Sequence, residues 1–542
     1  MAALDRAEEF PAEACAVLDD FGLGAYYADA RYGGLLRDHG ELVQLLRTVA
    51  RRDMTVAVAH GKTFLGSAPV WVAGDSAQAA RLARAVSDGA VVSWALTERD
   101  HGSDLLAGEL TARRVAGGWR LDGEKWLINN ATRSRYLCVL ARTGERAGPR
   151  AFSLFLVDKQ QLGNGSYRTL PKVPTHGIRG ADISGIAFDG ALVPDDALVG
   201  AVGTGAETVL KTLQLTRTVC TALSLGALDH GLSIAADYAA DRNLYGRRLA
   251  ELPRVRRILG EACAGLVVAE AVSTVAARSI HTLTPELSVI SAVTKACVPA
   301  LVQDVLDRLG ELLGVRGFLS DTYRDGAFAK LERDHRIVAI FDGSTAVNRS
   351  ALIDHFPALA RSWRRGAADA DAVAATVPGE VPPPFDPGWL RLVSAGGCSL
   401  VQLLPEAVRR VQDAVRHGQL APEVSGMADE LRAVTERVHT GLERQQRTPR
   451  DVPQSAFDLA EQYEWCFAGS ALIHLWLDGA HTPYDEEWLR AGLTLVLSRL
   501  GLAADEARAG SYDALADGLL RRGGHVPPSL LVGTGQEQGG NL

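Results

Sequence analysis

The chain has 542 residues, of which 47% are hydrophobic and 23% charged, and a formal net charge of −8. That length allows two or more domains with sizeable cores, and an acidic balance without a basic block excludes a nucleic-acid partner held by phosphate neutralisation. Seven cysteines stand singly, with no CxxC pair and no histidine at zinc-ligand spacing, which excludes the common zinc sites and fits a reduced, cytoplasmic protein.

The N-terminus, MAALDRAEEF, starts acidic rather than basic, so no signal peptide is expected. No apolar run is expected to reach the roughly 20 residues that span a bilayer. Residues 1–89 are Ala-rich with apolar residues three and four apart and predict a small helical domain. From 90 to 200 the texture changes to short β-rich runs, VVSWAL, GELTARRV, GWRLDGEKWLI, RYLCVLAR, AFSLFLV and ISGIAFDG. Asp122-Gly123 and Ala116-Gly117-Gly118 read as hairpin turns, so this part predicts an antiparallel barrel or sandwich. Helical spacing returns at 206–240, 252–281, 285–313 and 344–362, predicting a four-helix bundle over 201–363. The Ala-, Asp- and Pro-rich stretch 364–388 reads as a linker, 389–521 as a further helical domain, and 522–542 as a flexible tail. The predicted class is α+β: helical domain, central β domain, four-helix bundle and an additional helical extension.

One stretch raises a chemical question. In Ile340-Phe341-Asp342-Gly343-Ser344-Thr345-Ala346-Val347-Asn348-Arg349 an apolar approach ends in a short carboxylate, and small residues lead into a helical pattern. Asp342 can cap that helix, with Ser344 and Thr345 as other cap candidates, or it can face a substrate. Both roles can coexist. Elsewhere, Gly203-Thr204-Gly205-Ala206-Glu207-Thr208 lacks the third glycine of a dinucleotide fingerprint. No GxSxG elbow or HExxH pair occurs.

Five stretches, in order, resemble the acyl-CoA dehydrogenase family. Trp94-Ala95-Leu96-Thr97-Glu98-Arg99-Asp100-His101-Gly102-Ser103-Asp104 is similar to its ALTEPxAGSD segment, and Asp122-Gly123-Glu124-Lys125-Trp126-Leu127-Ile128-Asn129-Asn130 to its NGEKxWITN hairpin. Arg242-Asn243-Leu244-Tyr245-Gly246 resembles RxxFG on a bundle helix, Leu313-Gly314-Val315-Arg316-Gly317-Phe318 the LGGxGF turn, and the Asp342 stretch YEGTxxIQR. The resemblance implies FAD between the β domain and the bundle, with a partner subunit covering its adenine half. It implies a carboxylate base on one side of an acyl thioester and a hydride acceptor on the other.

By that resemblance Asp342 takes the base's position. Burial behind its apolar approach would make it a stronger base, and its own N–H would meet the thioester oxygen. Trp94, Leu96, Thr97, Leu127 and Asn129 fall where the family meets the flavin ring, and Ser103 where a serine meets the pyrophosphate or the thioester. Glu311, Gly314, Gly317 and Ser344 fall at further cofactor positions, while Arg217 and Gly343 fall on the substrate side. Arg242 and Tyr245 fall where the partner subunit's flavin is met. From the residues alone, Thr97 and Ser103 are ordinary turn hydroxyls, Arg242 a surface arginine and Tyr245 a packing residue.

The departures are specific. Asp342 replaces the family's Glu and withdraws the carboxylate by one methylene. Leu127 and Asn129 stand for its Trp and Thr, and Trp126 points to the other strand face unless a bulge shifts the register. Pro253 and Glu311 replace two glutamines. Thr216-Arg217 offers no competing acid, and Glu98 and Asp104 read as turn and hydrogen-bonding groups. The leading expectation is FAD-dependent α,β-dehydrogenation of an acyl-CoA or acyl-carrier-protein substrate by a homodimer, with a tetramer as the alternative. An electron-transfer flavoprotein or other acceptor would take the electrons. The rivals are a flavin monooxygenase or oxidase on the same fold and a non-catalytic thioester- or flavin-binding protein.

Overall fold

The structure, a computed structural model, describes residues 2–379, 381–445, 451–479, 485–502, 506–527, 529 and 531; most of the expected flexible tail lies outside these. The chain groups into two compact units. The first comprises Met1–Val219, Arg333–Ile337 and Pro384–Leu392, and the second Cys220–Glu332, Val338–Pro383 and Val393–Leu542.

The first unit begins with helices whose starts are written in carboxylates. Asp38 caps His39–Arg52, Asp53 caps Met54–Ala73 by accepting from the Val56 N–H, and Asp75 caps Ser76–Ser87. Eight strands follow: β1 (Val92–Ala95), β2 (Thr111–Val115), β3 (Gly118–Asn129), β4 (Tyr136–Arg142), β5 (Phe152–Asp158), β6 (Tyr167–Leu170), β7 (Ile183–Pro194) and β8 (Leu198–Val199). They form one sheet in the order β6-β7-β3-β2-β4-β5-β8, with β1 beside β4. The β1–β4 and β2–β4 pairings are parallel and the others antiparallel. Alternating residues such as Leu121, Leu137, Val139, Phe155, Val157 and Ile186 fill the core beneath it.

Ala116-Gly117 makes the expected turn between β2 and β3, but Asp122-Gly123 does not make one. It is a bulge inside β3, where the register against β7 slips between Leu121 and Gly123. Gly123 has φ +129°, and a Cβ there would lie 2.9 Å from the Leu110 Cα, so a turn-forming pair serves a kink. The Gly205–Val219 helix ends the first and longest of this unit's three segments.

In the second unit four long helices, Thr221–Asp241, Pro253–Thr282, Leu287–Leu313 and Thr345–Arg365, pack together. The single helix expected over 206–240 breaks at Cys220. The C-terminal helices Gln454–Asp478, Asp485–Arg499 and Glu506–Arg521 pack on Pro253–Thr282. The last approach is close, because a Cβ on Gly260 would sit 2.1 Å from the Tyr512 carbonyl oxygen. The segment read as a linker carries a short helix, Ala370–Ala374.

One expectation needs correction. Gly205–Asp241, Pro253–Thr282 and Thr284–Leu313 are long and apolar enough to cross a membrane by length and composition. Between 83 and 89% of their most apolar windows is buried within the protein, and that burial accounts for their composition.

Candidate functional site

In the first unit β1 runs into Leu96-Thr97-Glu98, and one buried lysine fixes this exit. Lys125 on β3 donates from Nζ to the Leu96 carbonyl (2.9 Å) and to Glu98 Oε1 (2.8 Å). Glu98 also accepts from the Glu109 and Leu110 N–H groups, at 2.7 and 3.1 Å. Burial pushes the Glu98 carboxyl up, but Lys125 and the two N–H donors together hold it below its ordinary value. Burial lowers Lys125, and Glu98 offsets part of that. Glu98 is therefore a hydrogen-bonding group that organises the turn.

Thr97 is tied to the next strand on both sides. Its carbonyl accepts from the Trp126 N–H (3.0 Å), and its hydroxyl donates to the Trp126 carbonyl (2.7 Å). Between Trp126 and Ile128 the register slips again, and Leu127 bulges out with φ +57° and 44% exposure. The bulge that would free Trp126 from strict alternation is thus present. Its outcome is to extrude Leu127, while the Trp126 ring lies under the Arg99 guanidinium at 4.7 Å. Asn129 donates to the Val58 carbonyl (3.1 Å), and the Ser93 hydroxyl donates to the Asn129 carbonyl (2.8 Å). Among the described residues, Trp94 Nε1 and Asn129 Oδ1 are buried without a hydrogen-bond partner, as is Thr216 Oγ1 beside the buried Arg217. Trp94, Leu96, Thr97, Leu127 and Asn129 therefore share two adjoining segments, and Ser103 lies in an exposed turn after the first.

In the second unit the chain after Val338 turns through Ile340 and Phe341 to Asp342, which has φ +55°, and Gly343, which has φ +96°. The helix that follows is capped by Ser344, whose Oγ accepts from the Val347 N–H at 3.3 Å. Asp342 is not the cap. Nor does the apolar approach enclose it, since Ile340 is 60% exposed and Asp342 half-buried. A left-handed aspartate costs on the order of 1 kcal/mol and persists only where its surroundings impose it. Here the fully buried Lys295 donates to the carbonyls of Val338 (2.7 Å) and Gly343 (3.2 Å). Its Nζ also lies 5.3 Å from the Phe341 ring centroid. Asn348 donates to the carbonyls of Gly343 (2.8 Å) and Ser344 (2.9 Å). On the carboxylate itself, the Cys220 thiol donates to Oδ2 at 3.5 Å.

The next residue, Arg349, reaches the Gln454–Asp478 helix. Its Nε and Nη2 donate to Glu464 Oε1 (2.8 Å) and Oε2 (3.1 Å), and its Nη1 lies 3.0 Å from Glu461 Oε2. Burial pushes the Glu464 carboxyl up to about 7 against the opposing pull of Arg349.

The remaining cofactor candidates of this unit lie on turns. Arg242 is not on a bundle helix: it ends Thr221–Asp241 and enters a hairpin of β9 (Asn243–Leu244) and β10 (Arg247–Arg248). Tyr245 and Gly246, at φ +54° and +79°, form its two-residue turn, and Tyr245 is 88% exposed. The expectation of a helix failed because Tyr245-Gly246 supplies the paired left-handed conformations that a tight hairpin needs. Glu311 is exposed on the last turn of Leu287–Leu313, Gly314 closes that helix at φ +58°, and Gly317 lies in the short helix Val315–Phe318.

Residues 1–90 match the acyl-CoA dehydrogenase N-terminal domain, 93–191 the middle domain and 203–356 the C-terminal domain. The chain belongs to the acyl-CoA dehydrogenase family. It is an oxidoreductase of a flavoprotein family acting on CH–CH bonds. A probable acyl-CoA dehydrogenase, fadE25, of Mycobacterium leprae is 28% identical over 350 residues, 64% of this chain and 88% of that protein. The crystal structure of a Bacillus anthracis acyl-CoA dehydrogenase complexed with FAD shares the fold over 94% of this chain and 90% of its own, at a TM-score of 0.69 and 18% identity. The prolyl acyl carrier protein oxidase AnaB matches 65% of this chain and 92% of its own, at a TM-score of 0.61 and 19% identity.

Sequence reasoning did not single out Cys220, Lys295 and Asn348, which bond to the segment from Val338 to Ser344, or the Arg349–Glu464 pair beside it. For Lys295 a signal existed, as the only charge in the apolar run VISAVTKACVPALV. Asn348 and Arg349 stood inside the quoted Asp342 stretch. Among the described residues no His, Cys, Asp or Glu group could hold a metal ion.

Proposed function

We propose that this family member oxidises an acyl thioester, on coenzyme A or on a carrier protein, to its α,β-unsaturated form, with Asp342 removing the α-proton. The observation that carries the reading is the Asp342 loop. Its carboxylate is relieved of capping by Ser344 and kept on a left-handed backbone by Lys295 and Asn348. The Cys220 thiol orients one carboxylate oxygen. Because Asp342 is one methylene shorter than the family's glutamate, the thioester has to bind closer to this backbone. The Asp342 N–H would donate to the thioester oxygen as negative charge grows there, with Gly343, Arg217 and Ser103 on the substrate side.

FAD, when bound, supplies the acceptor for the β-hydrogen as hydride. Its fit to this chain is supported by a buried donor, Trp94 Nε1 on β1, and a buried acceptor, Asn129 Oδ1 on β3, that lack hydrogen-bond partners among the described residues. A flavin edge carries both complementary kinds of group. Leu96, Thr97 and Leu127 would adjoin the ring. Glu311, Gly314, Gly317 and Ser344 would meet the rest of the cofactor. The exposed Arg242 and Tyr245 would meet the flavin of a second copy in a homodimer. A carrier such as an electron-transfer flavoprotein would then accept the electrons. A cytoplasmic location is supported by seven free, buried cysteines.

A second reading, an oxidase on the same fold, draws on the exposed Leu127 where the family has tryptophan, which leaves less aromatic cover over a cofactor edge. One experiment separates these readings. The purified protein is mixed anaerobically with a panel of acyl-CoA and acyl-carrier-protein thioesters, followed by absorbance, and oxygen uptake is measured in parallel. Bleaching of bound flavin without oxygen uptake supports the dehydrogenase. Bleaching with stoichiometric oxygen uptake supports the oxidase, and no bleaching with any thioester overturns both.

A further inference from the structure

We propose that Glu464, on the C-terminal Gln454–Asp478 helix, is a positioning residue for the reaction: through Arg349 it holds the first turn of Thr345–Arg365, and with it the Asp342 loop. This rests on the reading of Asp342 as the base. The match to the family's C-terminal domain ends at residue 356, so the contact comes from a part of the chain beyond it.

The geometry is directional. Two guanidinium nitrogens meet both oxygens of Glu464, whose side chain is 1% exposed, and the third nitrogen meets Glu461. A fork of this kind fixes both the position and the rotation of the helix that carries it. A well-packed apolar pair could match its stability but not its orientation. Arg349 adjoins Asn348, whose amide bonds the carbonyls of Gly343 and Ser344. Turning the first turn of the helix therefore withdraws Asn348 from Gly343, and the strained φ of Asp342 loses one of its restraints. Lys295 alone then holds the Gly343 carbonyl among the contacts described above.

The test uses full-length, flavin-loaded protein and the thioester that bleaches it. Anaerobic bleaching is followed by stopped flow with protio and α-deuterated substrate, for the wild type, Glu464→Gln, Arg349→Lys and Asp342→Asn. The expected result for Glu464→Gln is a bleaching rate per bound flavin lowered on the order of 10- to 100-fold at saturation. Substrate affinity should stay within about twofold and the α-deuterium isotope effect should rise, as α-proton removal becomes slower relative to other steps. Arg349→Lys keeps the charge but loses the fork and should show the same signature more weakly, which keeps the test decisive if Glu464→Gln fails to fold. A rate per flavin and an isotope effect equal to wild type, with only flavin content or Tm reduced, would overturn the inference. If Asp342→Asn bleaches at the wild-type rate, the base assignment itself falls. If Asp342→Asn is inactive while both ion-pair variants react normally, only the positioning role falls.

Discussion

The Asp342 loop and the Leu127 bulge both force a non-glycine residue into left-handed backbone, yet they are held by different means. Leu127 is extruded by the ladder itself: β3 slips by one residue against β7, and the hydrogen bonds of Trp126 with Thr97 lock the slip. Asp342 has no ladder. It is held by side chains from other helices, Lys295 at position 295 and Cys220 at the helix break, together with Asn348 from the helix it precedes. A strained residue held by register survives the loss of a neighbouring side chain. One held by a few buried donors does not.

The sharpest way to break this contrast is Lys295→Met, which keeps the buried length and removes the donor. The Val338 carbonyl would lose its Lys295 donor and the Gly343 carbonyl would keep only that of Asn348 among the contacts described above, and a loss of about 1–3 kcal/mol in unfolding free energy is expected, together with slower flavin bleaching. Denaturant unfolding and anaerobic bleaching check both, and unchanged stability would remove Lys295 as the clamp. An acid titration also separates the two units. His439 stacks on Trp363 at 4.2 Å, and burial pushes its imidazole down to about 4. Its stabilising contribution is complete above the ordinary 6.5 and is lost as pH falls from there towards 4, at most about 3 kcal/mol. Glu98 in the first unit, also depressed, loses its contribution only as pH falls below its ordinary 4.5. Urea unfolding at pH 7 and pH 4.5 should show that His439→Gln removes part of the wild type's acid loss.

At the bulge the expected effects are smaller. Leu127→Val places a β-branched residue at φ +57° and should cost about 1–2 kcal/mol, whereas Leu127→Gly should be close to neutral by thermal unfolding. Equal losses for the two would mean that Leu127 is retained for packing rather than tolerated for register. Least of all, Cys220→Ala removes one weak S–H donor and should slow bleaching only severalfold, with Tm nearly unchanged.

This difference in restraint also explains what the sequence could reveal. Strand runs, the Ala116-Gly117 turn and the long helices follow local periodicity and were legible, as were the family's stretches around Thr97, Trp126 and Asp342. The Asp122-Gly123 bulge was misread because the same dipeptide suits a turn or a kink, and only the β7 register decides between them. Tyr245 was placed on a bundle helix by resemblance to the family's RxxFG stretch, while Gly246 allowed the hairpin. Lys295, Cys220 and Glu464 lie 48, 122 and 115 residues from the positions they serve, and no local pattern encodes such pairings.

The central claim is that Asp342 removes the α-proton, and the most direct measurement is anaerobic flavin bleaching by the best thioester, compared between wild type and Asp342→Asn at equal flavin content. The account predicts rapid bleaching by the wild type and a loss of at least about 100-fold in the variant. Bleaching of the variant at the wild-type rate would contradict it.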